Sequence, residues 1–153
     1  MKLFISADIE GCVGTTLASE THKETPEYRQ FAKRMTDEVR IVCQAALEAG
    51  ADEIVVKDGH GDATNIDFTA MPEGVTLIRG KSGHPYNMMF GLDETFDGVL
   101  YVGYHAPAGN GGNPISHTST GNSNQILLNG KVMSEFMLNT YTAAMMGVPA
   151  VFI

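Results

Sequence analysis

Two carboxylates follow the first apolar stretch of the chain, which reads KLFISADIEG from Lys2 to Gly11. Asp8 and Glu10 are two residues apart, so they project from one face of a strand if the strand continues to the end of this stretch. Two neighbouring anions repel each other unless a proton or a cation lies between them. The pair therefore indicates a metal site, although two solvated acids in a turn would explain an isolated pair of this kind equally simply.

Imidazoles follow two later apolar stretches in the same way. Asp58 and His60 come after the stretch 53–57, and His105 comes after the stretch 98–104. Each histidine alone could belong to a tight turn, and Asp58 could either cap backbone amides or orient His60. If the three strands are parallel, their carboxyl ends meet at one edge of the sheet. Two carboxylates and two imidazoles at that edge would suit zinc or a similar first-row ion.

Two more residues become candidates in the company of such a site. His117 lies in a Ser- and Thr-rich segment. It is either an exposed loop histidine or a general acid/base or nucleophile beside a metal. Glu135 follows Ser134 at the start of a predicted helix, where a carboxylate complements the helix dipole. It could equally be a further metal ligand, so the residues alone leave both alternatives open.

An amphipathic helix is predicted between Pro26 and Ala49, because apolar residues recur there at three- and four-residue steps. With the apolar stretches on both sides it forms a β-α-β unit, which predicts parallel pairing. Further elements are predicted along the chain: strands at 75–79 and 148–153, a helical turn at 86–92, a hairpin around Asn129-Gly130 and a helix from Glu135 to about Met146. We expect one α/β domain over residues 1–153, with a doubly wound, mainly parallel sheet, helices on both faces and a β-hairpin near residues 125–133.

Net charge, apolar runs and cysteine content limit the partners and the location that the sequence predicts. The formal net charge is -8 and there is no basic run, which argues against nucleic acid as a partner. No apolar run approaches the roughly 20 residues that span a bilayer, so no membrane association is expected. Two cysteines far apart do not predict a disulfide scaffold, and a cytoplasmic protein is expected. The apolar stretch 148–153 is interpreted as a buried strand, which predicts that this is the N-terminal part of a longer chain or that a partner subunit covers it.

The motifs SADIEG, KDGHG, GYHA and ISHT, together with the helix start at Glu135, resemble the zinc-dependent D-aminopeptidases of the DppA type in the same order along the chain. The resemblance implies a doubly wound α/β fold with two zinc ions per chain and with His117 as the catalytic residue. The metal ligands that it implies are Asp8, which would bridge the ions, and Glu10, His60, His105 and Glu135. Ser134 departs from the pattern, because the family has a glycine at that position.

The same resemblance implies a homo-oligomer, a ring-stacked decamer, that acts on short peptides with an N-terminal D-amino acid, such as D-alanyl peptides. Members of this family continue into a second α/β region, which this sequence lacks.

Two other functions remain open on the residues alone. Paired carboxylates and histidines also serve dinuclear phosphoesterases, although no cluster of Arg or Lys that could bind phosphate accompanies the motifs. A non-catalytic, metal-stabilised assembly subunit is the third possibility.

Overall fold

The computed structural model describes residues 1–152, so Ile153 of the predicted final strand lies outside the described residues. The strands are β1 (Lys2–Ala7), β2 (Glu53–Asp58), β3 (Val75–Ile78), β4 (Gly98–Val102), β5 (Leu127–Leu128), β6 (Lys131–Val132) and β7 (Ala150–Phe152). The helices are α1 (Tyr28–Glu48) and α2 (Glu135–Met145), and short 3-10 turns lie at Ala18–Glu20, Phe68–Ala70 and Asn87–Met89. Most boundaries fall within one to three residues of the predicted ones. Among the described residues, no helix combines the length and the apolar character needed to cross a membrane.

The main sheet has five strands in the order β3-β2-β1-β4-β7, and every neighbouring pair is parallel. The chain runs outward from β1 through β2 to β3 and then returns to the other side of β1 with β4. Strand order therefore reverses between β1 and β4, and a crevice for ligands is expected at the carboxyl ends of these two strands. The predicted α/β class with a mainly parallel sheet is confirmed.

The two helices cover opposite faces of this sheet. Helix α1 buries Met35, Val39 and Cys43 against one face, where Ile5 and Val56 lie. Ala143 of α2 belongs to the core on the other face, together with Phe4, Val99 and Tyr101. Because Phe4 and Ile5 are adjacent on β1 and point to opposite faces, the central strand is apolar on both sides, as a buried parallel strand should be.

The first strand ends before the two carboxylates, so the alternation of side chains along a strand does not apply to them. β1 stops at Ala7, so Asp8 and Glu10 do not lie on a strand, and the prediction that they share a strand face is wrong. The Asp8 amide still donates to the Val102 carbonyl at 2.8 Å, and the chain then turns. Both carboxylates nevertheless stay buried, with 2% and 7% of each residue exposed.

Two glycines allow this turn to cross the end of β4. The Gly11 amide donates to the Gly103 carbonyl at 2.7 Å. A Cβ on Gly11 would lie 2.2 Å from the Tyr104 carbonyl oxygen, and a Cβ on Gly103 would lie 2.2 Å from the Asp8 carbonyl oxygen. Neither position has room for a side chain, because the obstructing atoms belong to the backbone. The close crossing brings the end of β1 against the end of β4.

The hairpin and the last helix form as their local residues predict. Asn129 and Gly130 have φ values of 51° and 78°, the left-handed conformations that a two-residue turn between antiparallel strands requires. Ser134 caps α2, because its hydroxyl accepts a hydrogen bond from the Met137 amide at 3.1 Å. Ser134 thus fixes the start of the helix that carries Glu135.

Asp58 caps backbone amides, which is one of the two roles that its sequence context allowed. It is fully buried, and one carboxylate oxygen accepts from the amides of Asn65 and Ile66 at 2.6 and 2.8 Å. The other oxygen accepts from Asn65 Nδ2 at 2.8 Å, and Nδ2 also donates to the His60 carbonyl at 2.7 Å. Asp58 therefore holds the loop that carries His60 without touching the imidazole.

Replacing Asp58 with alanine should lower the free energy of unfolding by about 3 kcal/mol or more, because three donors would lose their buried acceptor. Chemical denaturation of the metal-free protein measures this. The matched control is Asp67→Ala, which removes an aspartate that also caps a backbone amide, that of Thr69 at 2.9 Å, but at an exposed position. Equal losses in the two variants would contradict the role assigned to the buried Asp58 network.

Candidate metal centre

Five candidate ligands meet at the crevice between β1 and β4. Each of the three central strands delivers one or two of them just beyond its carboxyl end, and α2 delivers the last from its first residue. These residues are Asp8 and Glu10 after β1, His60 after β2, His105 after β4, and Glu135. All except the half-buried His60 are buried. Residues that are up to 127 positions apart in sequence thus share one site.

The Asp8 carboxylate lies between two histidines. Its Oδ1 is 3.4 Å from His60 Nδ1, and its Oδ2 is 3.7 Å from His105 Nε2. Glu10 Oε2 is 2.8 Å from the same His60 nitrogen, and Glu135 Oε1 is 3.3 Å from the same His105 nitrogen. Each oxygen of Asp8 therefore faces a different histidine, and each histidine has a second carboxylate beside it.

Backbone carbonyls orient the imidazoles. The Thr21 carbonyl accepts from His60 Nε2 at 2.9 Å, and the Ala106 carbonyl accepts from His105 Nδ1 at 3.0 Å. A carbonyl oxygen can only accept, so each of these nitrogens carries the proton and the other ring nitrogen of a neutral imidazole offers a lone pair to the crevice. Partners of this kind fix the ring orientation of metal-ligating histidines.

The donors present fit a zinc-type ion. His105 Nε2 and Glu10 Oε2 are buried and have no hydrogen bond of acceptable geometry among the described residues. The short distance from Glu10 Oε2 to His60 Nδ1 joins two acceptors when His60 is neutral, so a proton or a cation must lie between them. Carboxylate oxygens and imidazole nitrogens are the ligands that zinc takes in catalytic sites.

In the metal-free protein, the pKa values of the candidate ligands are shifted so that protons supply positive charge among the buried carboxylates. Burial raises the pKa of Asp8 to about 8, and the Glu10 carboxylate adds to the shift. Burial opposes charge on Glu10 too, but the close His60 imidazole and the neighbouring Asp8 carboxyl prevail and lower its pKa to about 2. Burial likewise disfavours charged imidazoles, yet the carboxylates raise the pKa of His60 to about 10 and that of His105 to about 9. Protons therefore occupy the positions between these ligands at neutral pH.

His117 lies at the open side of this centre. Its ring stacks on His105 with centroids 4.2 Å apart and 14° between the planes, and 26% of its side chain is exposed. The Ile115 carbonyl accepts from Nδ1 at 3.0 Å, which leaves Nε2 facing the site. Nε2 is 3.4 Å from Glu135 Oε1 and 4.0 Å from Glu10 Oε1. The ring is thus placed either to exchange protons with a bound molecule or to join the ligand set.

His117 lines two cavities. One, of about 270 Å³, contains the carboxylates of Asp8, Glu10 and Glu135. The other, of about 410 Å³, is bounded by Thr21, Ile115 and His117 among others. Glu10 and His117 line both cavities, so a molecule that bridges them would pass directly over the candidate ligands.

Other residues considered from the sequence lie outside the ligand set. Cys12 is buried and its thiol donates to the Asp8 carbonyl at 3.2 Å, while burial raises the pKa of the thiol far above its ordinary value. It therefore stays a protonated core residue. The sequence does not predict that the backbone carbonyls of Thr21, Ala106 and Ile115 orient the three histidines, because a backbone acceptor has no signature in residue type.

A family model described as D-aminopeptidase matches residues 1–153. The chain is also 31% identical over 153 residues to the D-aminopeptidase of Bacillus subtilis (strain 168), an alignment that covers 100% of this chain and 55% of that protein. A solved structure, the Zn-dependent D-aminopeptidase DppA from Bacillus subtilis, described as a self-compartmentalizing protease, superposes with a TM-score of 0.93 at 31% identity and covers 98% of this chain and 54% of that one. The chain thus spans about half the length of the relatives that it matches. On the strength of a match over its whole length, the chain belongs to the D-aminopeptidase family.

Proposed function

We propose that the chain supplies the catalytic centre of a zinc-dependent aminopeptidase that removes an N-terminal D-amino acid from short peptides of the D-alanyl type. The observation that carries this proposal is the placement of Asp8 between two oriented histidines, each of which has a second carboxylate beside it. The zinc dependence of the Bacillus subtilis relative supports the choice of metal.

The proposed centre holds two zinc ions. Glu10 and His60 lie beside one oxygen of Asp8, and His105 and Glu135 lie beside the other, so Asp8 would be the bridging ligand. The chemistry that zinc supplies when bound is Lewis acidity toward a scissile carbonyl and toward an attacking water. The protein supplies deprotonated ligands in a buried crevice, where electrostatic interactions are stronger than in water.

His117 is proposed as the catalytic residue. Because Nδ1 is held by the Ile115 carbonyl, Nε2 is the nitrogen that can take a proton and return it to the leaving amine. The same nitrogen would be the one to attack if His117 acted as a nucleophile. Its ring lines both cavities, which suits a peptide substrate that occupies the two of them.

A homo-oligomer is proposed because the matched relative is described as a self-compartmentalizing protease. The decameric state and the cytoplasmic location remain predictions from the resemblance and the sequence. Exposed apolar residues in the hairpin and in the last strand, among them Leu127, Val151 and Phe152, are compatible with contacts to further protein.

The dinuclear phosphoesterase is the weaker candidate. Lys81 is the only Lys or Arg among the described residues that line the cavity beside the carboxylates, and a single lysine does not form the cationic clamp that phosphate substrates need. Hydrolysis of a generic aryl phosphate without action on D-alanyl amides would favour this alternative. A metal-dependent assembly that is inert on both substrates would favour a non-catalytic subunit.

Metal content tests the dinuclear centre. Protein purified without chelator, loaded with zinc and desalted should contain about two equivalents per chain by elemental analysis. Asp8→Asn should lose most of this zinc, because one of its bridging oxygens becomes an amide nitrogen. Asp62→Asn, which removes an exposed aspartate that pairs with Lys23 at 2.6 Å, should retain both equivalents. One equivalent in the unmodified protein would contradict the dinuclear proposal.

Removing the imidazole of His117 separates catalysis from metal binding. His117→Ala should lower turnover of D-alanyl peptides by about a hundredfold or more while leaving zinc content unchanged. His84→Ala is the control, because that exposed histidine packs edge-on against Tyr86 and lines neither of the cavities beside His117. A loss of zinc in His117→Ala that parallels the loss of turnover would show that His117 is a ligand instead.

Zinc uptake should release protons. At neutral pH the raised pKa values leave His60, His105 and Asp8 largely protonated in the metal-free protein, and zinc must displace these protons. Zinc affinity should therefore increase as the pH rises from about 6 to about 8. Calorimetric titrations in two buffers with different ionisation enthalpies measure the proton count. An affinity that does not change over this range would contradict the assignment of the protonated ligands.

A further inference from the structure

A buried chain of hydrogen bonds lies beneath the candidate metal centre. Asn139 Nδ2 donates to the Tyr104 hydroxyl at 2.9 Å, the Tyr104 and Ser6 hydroxyls are 2.7 Å apart, and Ser6 Oγ donates to the Met88 carbonyl at 2.9 Å. Since the single proton of Ser6 goes to the carbonyl, the Tyr104 hydroxyl donates to Ser6 Oγ, a closer and stronger acceptor than Met88 Sδ at 3.9 Å. All three bonds therefore run in one direction, from an amide that can donate to a carbonyl that can only accept.

This chain connects the segments that carry the candidate ligands. Ser6 lies on β1, two residues before Asp8, and Tyr104 immediately precedes His105. Asn139 is four residues after Glu135, so both project from the same side of α2. The chain thus crosses from α2 to the ends of β4 and β1 directly behind three of the five ligands.

The fourth segment is linked through Met88. A Cβ on Gly59, the residue before His60, would lie 2.6 Å from Met88 Cε, so the Met88 side chain packs directly on the backbone of that loop. Met88 itself is 5% exposed and Ser6 is fully buried. The network therefore ends against the loop that carries His60.

A directed network of this kind does something that apolar packing cannot. Backbone pairing fixes β1 against β2 and β4, but α2 meets the sheet through side chains, for example Phe136 against Tyr101 with ring centroids 5.0 Å apart. Apolar contacts tolerate sliding, whereas a hydrogen bond restricts distance and angle. The hydrogen bond from Asn139 to Tyr104 fixes the position of α2 along the sheet. It thereby fixes the distance between Glu135 and His105, which follows β4.

We propose that Tyr104, Ser6 and Asn139 are positioning residues that set the spacing between Asp8, His105 and Glu135 and thereby determine how tightly zinc is held. This inference rests on the proposed zinc centre. It assigns these three side chains a role in metal affinity although none of them contacts the metal.

Tyr104→Phe is the direct test, because it removes only the hydroxyl that joins the two halves of the network. Its zinc affinity, measured by competition with a chelator of known affinity, should be weaker than that of the unmodified protein by about tenfold or more. The visible absorption spectrum of the cobalt-substituted protein should also change, because it reports the geometry of the ligands.

Tyr101→Phe is the matched control. Tyr101 is a residue of β4, three positions before Tyr104, and is 1% exposed; its hydroxyl lies beside Thr140 of α2 but makes no hydrogen bond of acceptable geometry among the described residues. The same chemical change there breaks no link to the ligands, so zinc affinity and cobalt spectrum should stay unchanged. Asn139→Leu is a second test from the other end of the network. The double variant with Tyr104→Phe should lose little more affinity than the weaker-binding single variant, since both changes break one chain.

The outcomes separate the possible explanations. If Tyr104→Phe and Asn139→Leu lower only the melting temperature of the metal-free protein and keep the zinc affinity and cobalt spectrum of Tyr101→Phe, the network is structural and the inference is wrong. If the unmodified protein itself binds no zinc while remaining folded, the proposed function fails and the positioning role falls with it. Zinc binding by the unmodified protein together with weakened binding in both variants supports the inference.

Discussion

The structure depends on how the chain neutralises carboxylates that it buries at the end of its central strand. Asp8, Glu10 and Glu135 face His60 and His105, and if all five were charged the cluster would still hold one excess negative charge. Burial makes that excess costly, because an uncompensated ion in a region of low dielectric loses its hydration. In the metal-free protein, protons shared between these groups provide the compensation. Divalent cations bound by neutral imidazoles would compensate the three carboxylates in place of these protons.

Parallel topology explains why residues far apart in sequence reach this crevice. The reversal of strand order beside β1 makes a gap at the carboxyl ends of β1 and β4, and the histidine after β2 enters from the neighbouring loop. Helix α2, on the opposite face from α1, brings Glu135 to the same gap with its first residue. Each ligand thus lies at the end of a regular element or just beyond it, where the sheet or the helix cap holds the backbone while the side chain is free to meet the others.

Much of this arrangement could be predicted from the sequence, because apolar periodicity and turn residues are local signals. The helix near 26–49, the Asn129-Gly130 hairpin and the Ser134 cap follow directly from such signals. Parallel topology correctly predicted that the acids and histidines meet at one edge of the sheet. The expectation that Asp8 and Glu10 share a strand face was wrong. A turn brings them together instead, because β1 ends at Ala7. The close crossing of Gly11 and Gly103, the carbonyls that orient the histidines and the network from Asn139 to Met88 depend on contacts between distant segments. None of these has a signature in residue spacing.

Anomalous diffraction at the zinc absorption edge, from crystals of the zinc-loaded protein, tests the central claim most directly. The account predicts two peaks about 3.5–4 Å apart, one between Glu10 and His60 and the other between His105 and Glu135, with Asp8 in contact with both. A single peak, or peaks outside this crevice, would contradict the bridging role of Asp8 and with it the two-zinc centre.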